Sequence, residues 1–392
     1  MTMPIDPVVI VSAARTPMGN FQGELAGFTA PQLGSEALKA AIERAHVAAA
    51  EVDEVFMGCV LPAGVGQAPA RQASRGAGLP DAVGATTVNK VCGSGLKAMM
   101  LAHDTLMAGS ARIVLAGGME SMTNAPYLLD KARGGYRLGH GQVKDHMFLD
   151  GLEDAYDKGK LMGVFAEETA THFGFTREAQ DAFALESLRR AQAAQASGAF
   201  VAEIAALTSK AGVVESDEGP RKAKPDKIPT LKPAFSPTGT VTAANASSIS
   251  DGAAAVLLMR QSEADKRGLP LLARLVAHAG HGEAPNWFTT APIGAIQKVL
   301  TKANWQIGDV DLFEINEAFA VVTMAAMKEL ALPHDKVNVH GGACALGHPI
   351  GASGARLVVT LIHALKARGQ KHGVASLCIG GGEAVALALE VL

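Results

Sequence analysis

The sequence predicts an α/β protein made of two related halves, with a segment of different character inserted between them. The chain has 392 residues, and a single hydrophobic core stops growing near roughly 250–300 residues, so more than one unit is expected. In both halves an apolar, β-rich run leads into an amphipathic helix and then into a second β-rich run. Apolar strands of this kind are typical of a buried, partly parallel sheet covered by helices.

The relation between the halves rests on matched segments at a nearly constant spacing. Helices are predicted to begin at Ser94-Gly95 and at Ser353-Gly354 and to end near Gly109 and Gly369. Each helix is followed by a strand that closes on glycines, IVLAGG at 113–118 and ASLCIGGG at 375–382. Chance similarity between segments rich in alanine and glycine is the alternative, and these residues alone leave it open.

The inserted segment has its own composition. It contains glycine-rich loops, a long helix that Thr176 is expected to cap and Gly198 to end, and a basic, proline-punctuated stretch from Pro220 to Pro233. Strand character returns with DGAAAVLLMR at 251–260. We therefore predict a first half of residues 1–118 plus 249–271, an inserted loop domain of residues 119–248, and a second half of residues 272–392.

Composition argues against several classes of function. A net charge of −3 does not suit a protein that coats nucleic acid or an anionic membrane. No apolar run approaches the roughly 18 residues of a membrane span, and the four cysteines form no CxxC pair. With neither a disulfide framework nor a signal sequence indicated, we expect a cytoplasmic protein. No Walker motif, GxGxxG or metal-ligand spacing is present, so we expect neither a metal nor a cofactor.

The segment VCGSG at 91–95 places Cys92 where a β-like run ends and a helix begins. The positive end of the helix dipole is expected to lower the pKa of this thiol. Gly93 and Gly95 are expected to let a substrate carbonyl approach the backbone, with the N–H of Cys92 donating to an oxyanion. The alternative is a small buried side chain at a strand–helix corner, and this motif alone does not decide between them.

Three further segments supply chemical groups. His348 lies in GGACALGHPIGASGAR at 341–356. It is either a catalytic residue, acting as general base or oxyanion donor, or a structural histidine, and the glycine density favours the catalytic role. Cys378, in CIGGGEA at 378–384, repeats the cysteine of the first half and suggests an acid/base thiol beside a nucleophilic one. Asn316, in EINEAFA at 314–320, either holds a water or carbonyl or belongs to a helix cap.

Taken together, VCGSG, NEAFA, GHPIGASGAR and CIGGG, in this order, resemble the signatures of the thiolase family. The resemblance covers essentially the whole chain and includes VSAARTP at 11–17, GGMESM at 117–122 and GTVTAANAS at 239–247. Within the family the chain looks most similar to the biosynthetic, acetoacetyl-CoA type. The resemblance implies the thiolase fold, with two similar α/β halves in a layered αβαβα arrangement and an inserted loop domain. It also implies a homotetramer built as a dimer of dimers, with 134–141 as a contact loop.

The resemblance further implies a reversible Claisen condensation of two acetyl-CoA molecules to acetoacetyl-CoA and CoA. Cys92 would carry the acyl group, and His348 would accept the thiol proton. Cys378 would then remove an α-proton from the second acetyl-CoA. One oxyanion hole would use His348 and a water held by Asn316, and another would use the N–H groups of Cys92 and Gly380.

Contacts to coenzyme A are implied within the inserted segment. By the resemblance they fall on Leu231, Phe235, Ala243, Ser247 and, near the pantetheine, Met162. Arg221, Lys222 and Lys224 could bind the phosphates of coenzyme A, a role suggested by their charge alone. A flexible, solvated loop accounts for these three basic residues equally well.

The chain departs from the family pattern beside the acyl site. Leu161-Met162 replaces a His-Met pair, Ala244 and Ser248 stand where glycines are usual, and Asn286-Trp287-Phe288 is bulkier than expected. Trp287 and Phe288 either shorten the acyl pocket, which would favour acetyl and acetoacetyl groups, or belong to the core. A degradative 3-ketoacyl-CoA thiolase of broader chain length is the alternative function.

Overall fold

The structure, a computed structural model, describes residues 6–209 and 212–392. Its strands are β1 (Val8–Arg15), β2 (Gly19–Asn20), β3 (Glu54–Gly58), β4 (Gly84–Val88), β5 (Ile113–Ser121), β6 (Tyr127–Leu129), β7 (Val143–Asp145), β8 (Leu207–Ser209), β9 (Gly212–Val214), β10 (Ser250–Arg260), β11 (Ala273–Gly282), β12 (Leu312–Ile315), β13 (His372–Ile379) and β14 (Glu383–Val391). Its helices are α1 (Ala30–Ala45), α2 (Pro69–Gly76), α3 (Ser94–Ala108), α4 (Met162–Phe173), α5 (Arg177–Ala196), α6 (Glu218–Lys222), α7 (Gln261–Arg267), α8 (Ala291–Ala303), α9 (Ala320–Glu329), α10 (Ala343–Leu346) and α11 (Ser353–Arg368). Within the two described ranges, no helix has both the length and the hydropathy needed to cross a bilayer.

The two halves share one strand order. It runs β1-β10-β5-β3-β4 in the first half and β11-β14-β13-β12 in the second. In the first half, β4 pairs in parallel with β3 at the edge of the sheet. The corresponding position in the second half is occupied by Val337, which forms a parallel bridge to Phe313 of β12. A short antiparallel pairing of β1 with β11 joins the two sheets into one continuous hydrogen-bonded sheet. The matching order confirms the predicted repeat and excludes chance similarity.

The sheets and helices stack in five layers. Helices α3 and α11 lie between the two sheets. Leu96 and Met99 of α3 and Leu357 and Leu361 of α11 share one fully buried core with strand residues of both sheets, such as Leu258 of β10 and Leu387 of β14. Helices α1 and α2 cover the outer face of the first sheet, and α8 covers that of the second. Strand β1 begins with an unbroken apolar run because Val8 faces the central helices while Val9 faces α1.

Glycines let the two halves touch backbone to backbone at the start of the central helices. A Cβ on Gly95 of α3 would lie 2.9 Å from the amide nitrogen of Ala355 in α11. A Cβ on Gly118 of β5 would lie 2.0 Å from the carbonyl oxygen of Gly351. The interpretation that Gly95 makes room for a substrate is therefore wrong. Its neighbour is the other half of the chain.

Between β5 and β10 the chain forms mainly short elements around one long helix. The predicted helix is α5, where the Thr176 hydroxyl accepts a hydrogen bond from the Ala179 N–H at 3.2 Å. The chain leaves this helix through Gly198, whose φ of +75° is in the left-handed region. The limits of the three predicted parts stay a prediction.

A buried ion-pair network anchors this segment to the first half. Arg15, at the end of β1, lies 2.5 Å from Glu203 and 2.6 Å from Asp217, and all three side chains are at most 1% exposed. Its guanidinium also lies over the ring of Phe200, 4.9 Å from the ring centroid. One fully buried cation thus pairs with two buried carboxylates.

We expect Arg15→Met to lower the free energy of unfolding by about 3–5 kcal/mol, because it leaves two buried carboxylates without their cation. Urea unfolding followed by circular dichroism measures the change. The matched control is Arg189→Met, since Arg189 is 67% exposed in its pair with Glu186 and should contribute less than about 1 kcal/mol. Equal losses in the two variants would contradict a structural role for the buried network.

Candidate active site

A cavity of about 510 Å³ is lined by residues from both halves and from the inserted segment. Cys92 comes from the first half, and His348 and Gly380 come from the second. Four of the predicted coenzyme A contacts line the same cavity: Met162, Phe235, Ala243 and Ser247. Residues predicted from separate motifs therefore meet at one concave site.

Cys92 lies in the turn between β4 and α3. The preceding residue, Val91, has a φ of +45°, a left-handed conformation that is costly for a β-branched side chain. The backbone N–H groups of Cys92 itself and of Gly380 lie close enough to the sulfur to lower its pKa. The strained turn thus places the thiol where two backbone donors from different halves converge.

The acidity of the thiol differs from the sequence prediction. Burial raises the pKa of Cys92 to about 11 and outweighs the two backbone donors, and the charge of Glu120 adds to the rise. The prediction of a lowered pKa is wrong because Cys92 precedes α3, which begins at Ser94, and is largely enclosed by protein. At neutral pH this cysteine is a thiol.

We expect the rate of Cys92 alkylation by iodoacetamide to rise about tenfold per pH unit between pH 7 and pH 9. The thiolate is the reactive form, and well below the pKa its fraction rises about tenfold with each pH unit. Peptide mass spectrometry after short incubations measures the rate, and the urea-unfolded chain, with an ordinary thiol pKa, serves as the control. A rate that levels off below pH 8 in the folded protein would show that the thiol is more acidic than this environment implies.

His348 is held as a neutral base. Its Nδ1 lies 2.5 Å from the Ser353 hydroxyl, which itself donates to the carbonyl oxygen of Pro349 at 2.9 Å. Because that hydroxyl has one proton, it must accept from the Nδ1–H of His348, which leaves Nε2 unprotonated, 3.4 Å from Nδ2 of Asn316. Burial and the charge of Arg356 lower the pKa of His348 to about 3. An unprotonated Nε2 on the cavity wall can accept a proton, but only transiently because this pKa is low.

Asn316 lies immediately after β12 and beside His348. Its Nδ2 is 3.4 Å from Nε2 and 3.5 Å from Nδ1 of His348, and its buried Oδ1 has no hydrogen-bond partner among the described residues. A buried amide oxygen without a protein partner indicates a site for a bound water. The helix-cap alternative is wrong, because α9 has Phe319 at its N-cap and no side-chain cap bond.

Cys378 lies near the end of β13 and is fully buried. Burial raises the pKa of its thiol well above the ordinary value, and the proximity of Cys92 raises it further. The two cysteines predicted from matching positions of the halves are thus close enough to interact electrostatically, although Cys378 is not among the residues that line the cavity. Neither is ionised at neutral pH.

The remaining predicted coenzyme A contacts lie elsewhere. Leu231 lines a second opening of about 390 Å³, together with Lys222 and Lys224. Arg221 lines neither opening, because its guanidinium pairs with Glu24 at 2.6 Å. Lys222 is paired as well, with Glu218 at 2.5 Å and Glu24 at 3.4 Å, but unlike Arg221 it lines the second opening, as Lys224 does. The two openings adjoin, since both include Asn20 and Ser248.

Two supporting residues were missed by sequence reasoning, although both lie inside quoted motifs. Ser353 orients His348 as described above. Glu120, in GGMESM, is fully buried and accepts hydrogen bonds from the backbone N–H groups of Val60, Leu61 and Gly351 at 2.9–3.1 Å. Burial raises the pKa of Glu120 to about 7. The motifs marked these positions, but their partners are distant backbone groups that no local pattern reveals.

The bulky residues near the acyl site have separate roles. Phe288 is 3% exposed and lines the cavity. Trp287 lies outside the lining and packs against His172, with ring centroids 5.0 Å apart. Phe288 therefore limits the cavity, whereas Trp287 supports its outer side.

Comparison with known proteins gives the family. Residues 8–262 match the family model for the thiolase N-terminal domain, and residues 269–391 match that for the thiolase C-terminal domain. The chain belongs to the thiolase family. This thiolase is 52% identical over 390 residues to an acetyl-CoA acetyltransferase of Escherichia coli, covering 98% of this chain and 99% of the relative. It is 51% identical over 389 residues to an acetyl-CoA acetyltransferase of Cupriavidus necator, with the same coverage.

A solved structure gives the same result for the fold. The crystal structure of Acat5 thiolase from Ascaris suum, in complex with coenzyme A, matches this thiolase with a TM-score of 0.94 and 42% identity. The match covers 98% of this chain and 100% of that one. The thiolase fold predicted from the motifs is confirmed.

Proposed function

We propose that this thiolase is an acetyl-CoA C-acetyltransferase that condenses two acetyl-CoA molecules to acetoacetyl-CoA and CoA, reversibly, through an acetyl-Cys92 intermediate. The observation that carries the proposal is the proximity of two thiols, Cys92 and Cys378, together with His348, whose unprotonated Nε2 lies on the wall of the same cavity as Cys92. One thiol suffices for acyl transfer, but carbon–carbon bond formation also needs a base for the second substrate. Acetyl specificity is supported by the relatives named acetyl-CoA acetyltransferase at about 50% identity.

In the first half-reaction the Cys92 sulfur attacks the thioester carbonyl of acetyl-CoA while its proton passes to Nε2 of His348. The carbon–sulfur bond to CoA breaks, and the departing thiolate takes a proton from Cys378. Acetyl-Cys92, an imidazolium at His348 and a thiolate at Cys378 remain. A pKa of about 11 for Cys92 makes this coupled proton transfer necessary, since little free thiolate exists at neutral pH.

In the second half-reaction the Cys378 thiolate removes an α-proton from a second acetyl-CoA. The resulting carbanion attacks the acetyl carbonyl on Cys92 and forms the new carbon–carbon bond. The Cys92 thiolate leaves and recovers its proton from His348. Both cysteines end as thiols and His348 ends neutral, so the protons balance over the cycle.

Two groups of donors would stabilise the negative charge that develops on the thioester oxygens. The N–H groups of Cys92 and Gly380 already converge on the Cys92 sulfur, next to the position of an acyl oxygen. His348 and a water on the unpartnered Oδ1 of Asn316 would serve the second acetyl-CoA. Preorganised donors of this kind are each worth about 100–1,000-fold in rate.

Coenzyme A would enter along the inserted segment. Met162, Phe235, Ala243 and Ser247 line the cavity and would contact the pantetheine and its neighbouring groups. Lys222 and Lys224, at the adjoining opening, would meet phosphates.

The test of acyl specificity compares thiolysis of acetoacetyl-CoA with that of 3-ketohexanoyl-CoA and 3-ketooctanoyl-CoA. We expect acetoacetyl-CoA to have the highest kcat/KM. Phe288→Ala should raise the relative rate on the longer substrates because it enlarges the cavity, and Trp287→Ala, outside the lining, is the control. Preference of the unmodified enzyme for the longer substrates would refute the proposal and indicate a degradative thiolase.

We also propose a homotetramer in the cytoplasm. The hairpin of β6 and β7 and its connecting loop leave large apolar side chains in solvent, with Tyr127, Leu129 and Leu138 exposed by 68%, 53% and 98%. Exposed apolar side chains grouped in this way favour a protein contact. Size-exclusion chromatography with light scattering tests the assembly, and Leu138→Asp should reduce its mass if the loop joins subunits.

A further inference from the structure

Outside the active site, helix α3 and strand β11 bring two histidines and one carboxylate together. Oδ1 of Asp104 lies 3.1 Å from Nδ1 of His103 and 2.9 Å from Nε2 of His278. The two imidazole rings meet edge to face with centroids 5.0 Å apart. The histidine side chains are mostly covered, at 18% and 16% exposure, whereas Asp104 is 55% exposed.

We propose that His103, Asp104 and His278 bind one divalent transition-metal ion, such as Zn²⁺. The three ligand atoms all lie within 4.8 Å of one another. Zinc lies about 2.0–2.2 Å from imidazole nitrogen and carboxylate oxygen, so neighbouring ligands around it are separated by roughly 3.0–3.4 Å. The two Asp–His separations are already close to this range. An ion between the three atoms would replace the protons that the imidazoles now share with the carboxylate.

The types of ligand indicate which metal ion would bind, and the position of the site in the fold indicates the role of that ion. Two imidazoles and one carboxylate suit zinc, cobalt or nickel better than calcium or magnesium, and the exposed side of Asp104 leaves room for water ligands. His103 lies about 14 Å along α3 from Ser94, at 1.5 Å per residue, so the ion would not touch a substrate. It would instead cross-link α3 of the first half to β11 of the second.

One neighbouring charge opposes binding. Nζ of Lys302, on α8, donates to the backbone carbonyl of His278 at 3.0 Å and places a positive charge close to the site. The carboxylate of Asp104 offsets it. No local spacing indicated the site, because His278 is separated from Asp104 by 174 positions in the chain.

The test is zinc titration by calorimetry of the full-length protein after removal of metals with EDTA. The unmodified enzyme is compared with His278→Ala, with the shape-conserving Asp104→Asn, and with His46→Asn, an exposed histidine elsewhere, as control. We expect one zinc equivalent to weaken at least tenfold in the first two variants and to be retained in the control. Zinc that binds the catalytic thiols is common to all four proteins and does not affect the comparison.

A second readout reports the ligands directly. Co²⁺ should give visible absorption bands of a nitrogen- and oxygen-ligated ion, and zinc should raise the Tm of the unmodified enzyme and of His46→Asn but not of His278→Ala. Activity without metal should be the same in every variant, since none of these residues lines the cavity. Equal zinc binding in all four proteins, or none in the unmodified enzyme, would show that the three residues form a hydrogen-bonded group only.

Discussion

Replacing Cys92 by alanine is expected to lower the turnover of acetyl-CoA by about 10⁴- to 10⁶-fold, the range observed when a catalytic nucleophile is removed. The backbone donors and the cavity remain in this variant, so binding of coenzyme A esters should change little. Without the sulfur no acetyl-enzyme can form. A spectrophotometric condensation assay measures turnover, and intact-protein mass spectrometry after incubation with acetyl-CoA detects the acetyl group.

Cys344→Ala is the matched control for this experiment. Cys344 lies at the neighbouring opening, where its sulfur is 3.8 Å from the carbonyl oxygen of Glu317. It should keep both turnover and the acetyl mass shift. If Cys92→Ala turned over at the rate of the unmodified enzyme, or carried an acetyl group itself, the proposed mechanism would be wrong.

Cys378→Ala is expected to separate the two half-reactions. Loss of the base should reduce condensation by about 10²- to 10⁴-fold, the usual contribution of general acid–base catalysis. Acetylation of Cys92 should persist, because a CoA thiolate can leave without immediate protonation near neutral pH. The direct measurement is exchange of the α-hydrogens of acetyl-CoA in D₂O, followed by NMR, which the variant should fail to catalyse.

The choice of substitution distinguishes chemistry from packing at this fully buried position. Cys378→Ser keeps the approximate shape but replaces the thiol with a far weaker acid, so it should lose exchange as Cys378→Ala does. Recovery of exchange in the serine variant would assign Cys378 a packing role. Normal exchange in the alanine variant would place the base elsewhere.

The architecture was largely predictable because its signals are local. Glycines mark the ends of α3 and α11, and each helix is followed by a strand, β5 after α3 and β13 after α11. The order of the four motifs led to the family, and through it to Cys92, Asn316, His348 and Cys378 as partners. These predictions depend on residue type and position in the chain, which the sequence contains directly.

What could not be predicted depends on long-range contacts. The pKa of Cys92 is set by how much protein encloses it, so the local helix argument gave the wrong direction. Arg221 has the right charge for a phosphate, yet Glu24, far away in the chain, already neutralises it. The glycine at position 95 is explained only by the backbone of Ala355 in the other half. In each case the deciding neighbour belongs to a remote segment.

Engineering of acyl-chain preference is restricted to part of this cavity. Beside Cys92 the chain meets itself with no side chain in between, since any Cβ at Gly95 or Gly118 would overlap with backbone. Other parts of the lining are side chains that can be exchanged, among them Met162, Phe235 and Phe288. A mutant library spread evenly over the site would thus lose most of its members at the glycines to misfolding. The productive diversity would come from the three bulky residues.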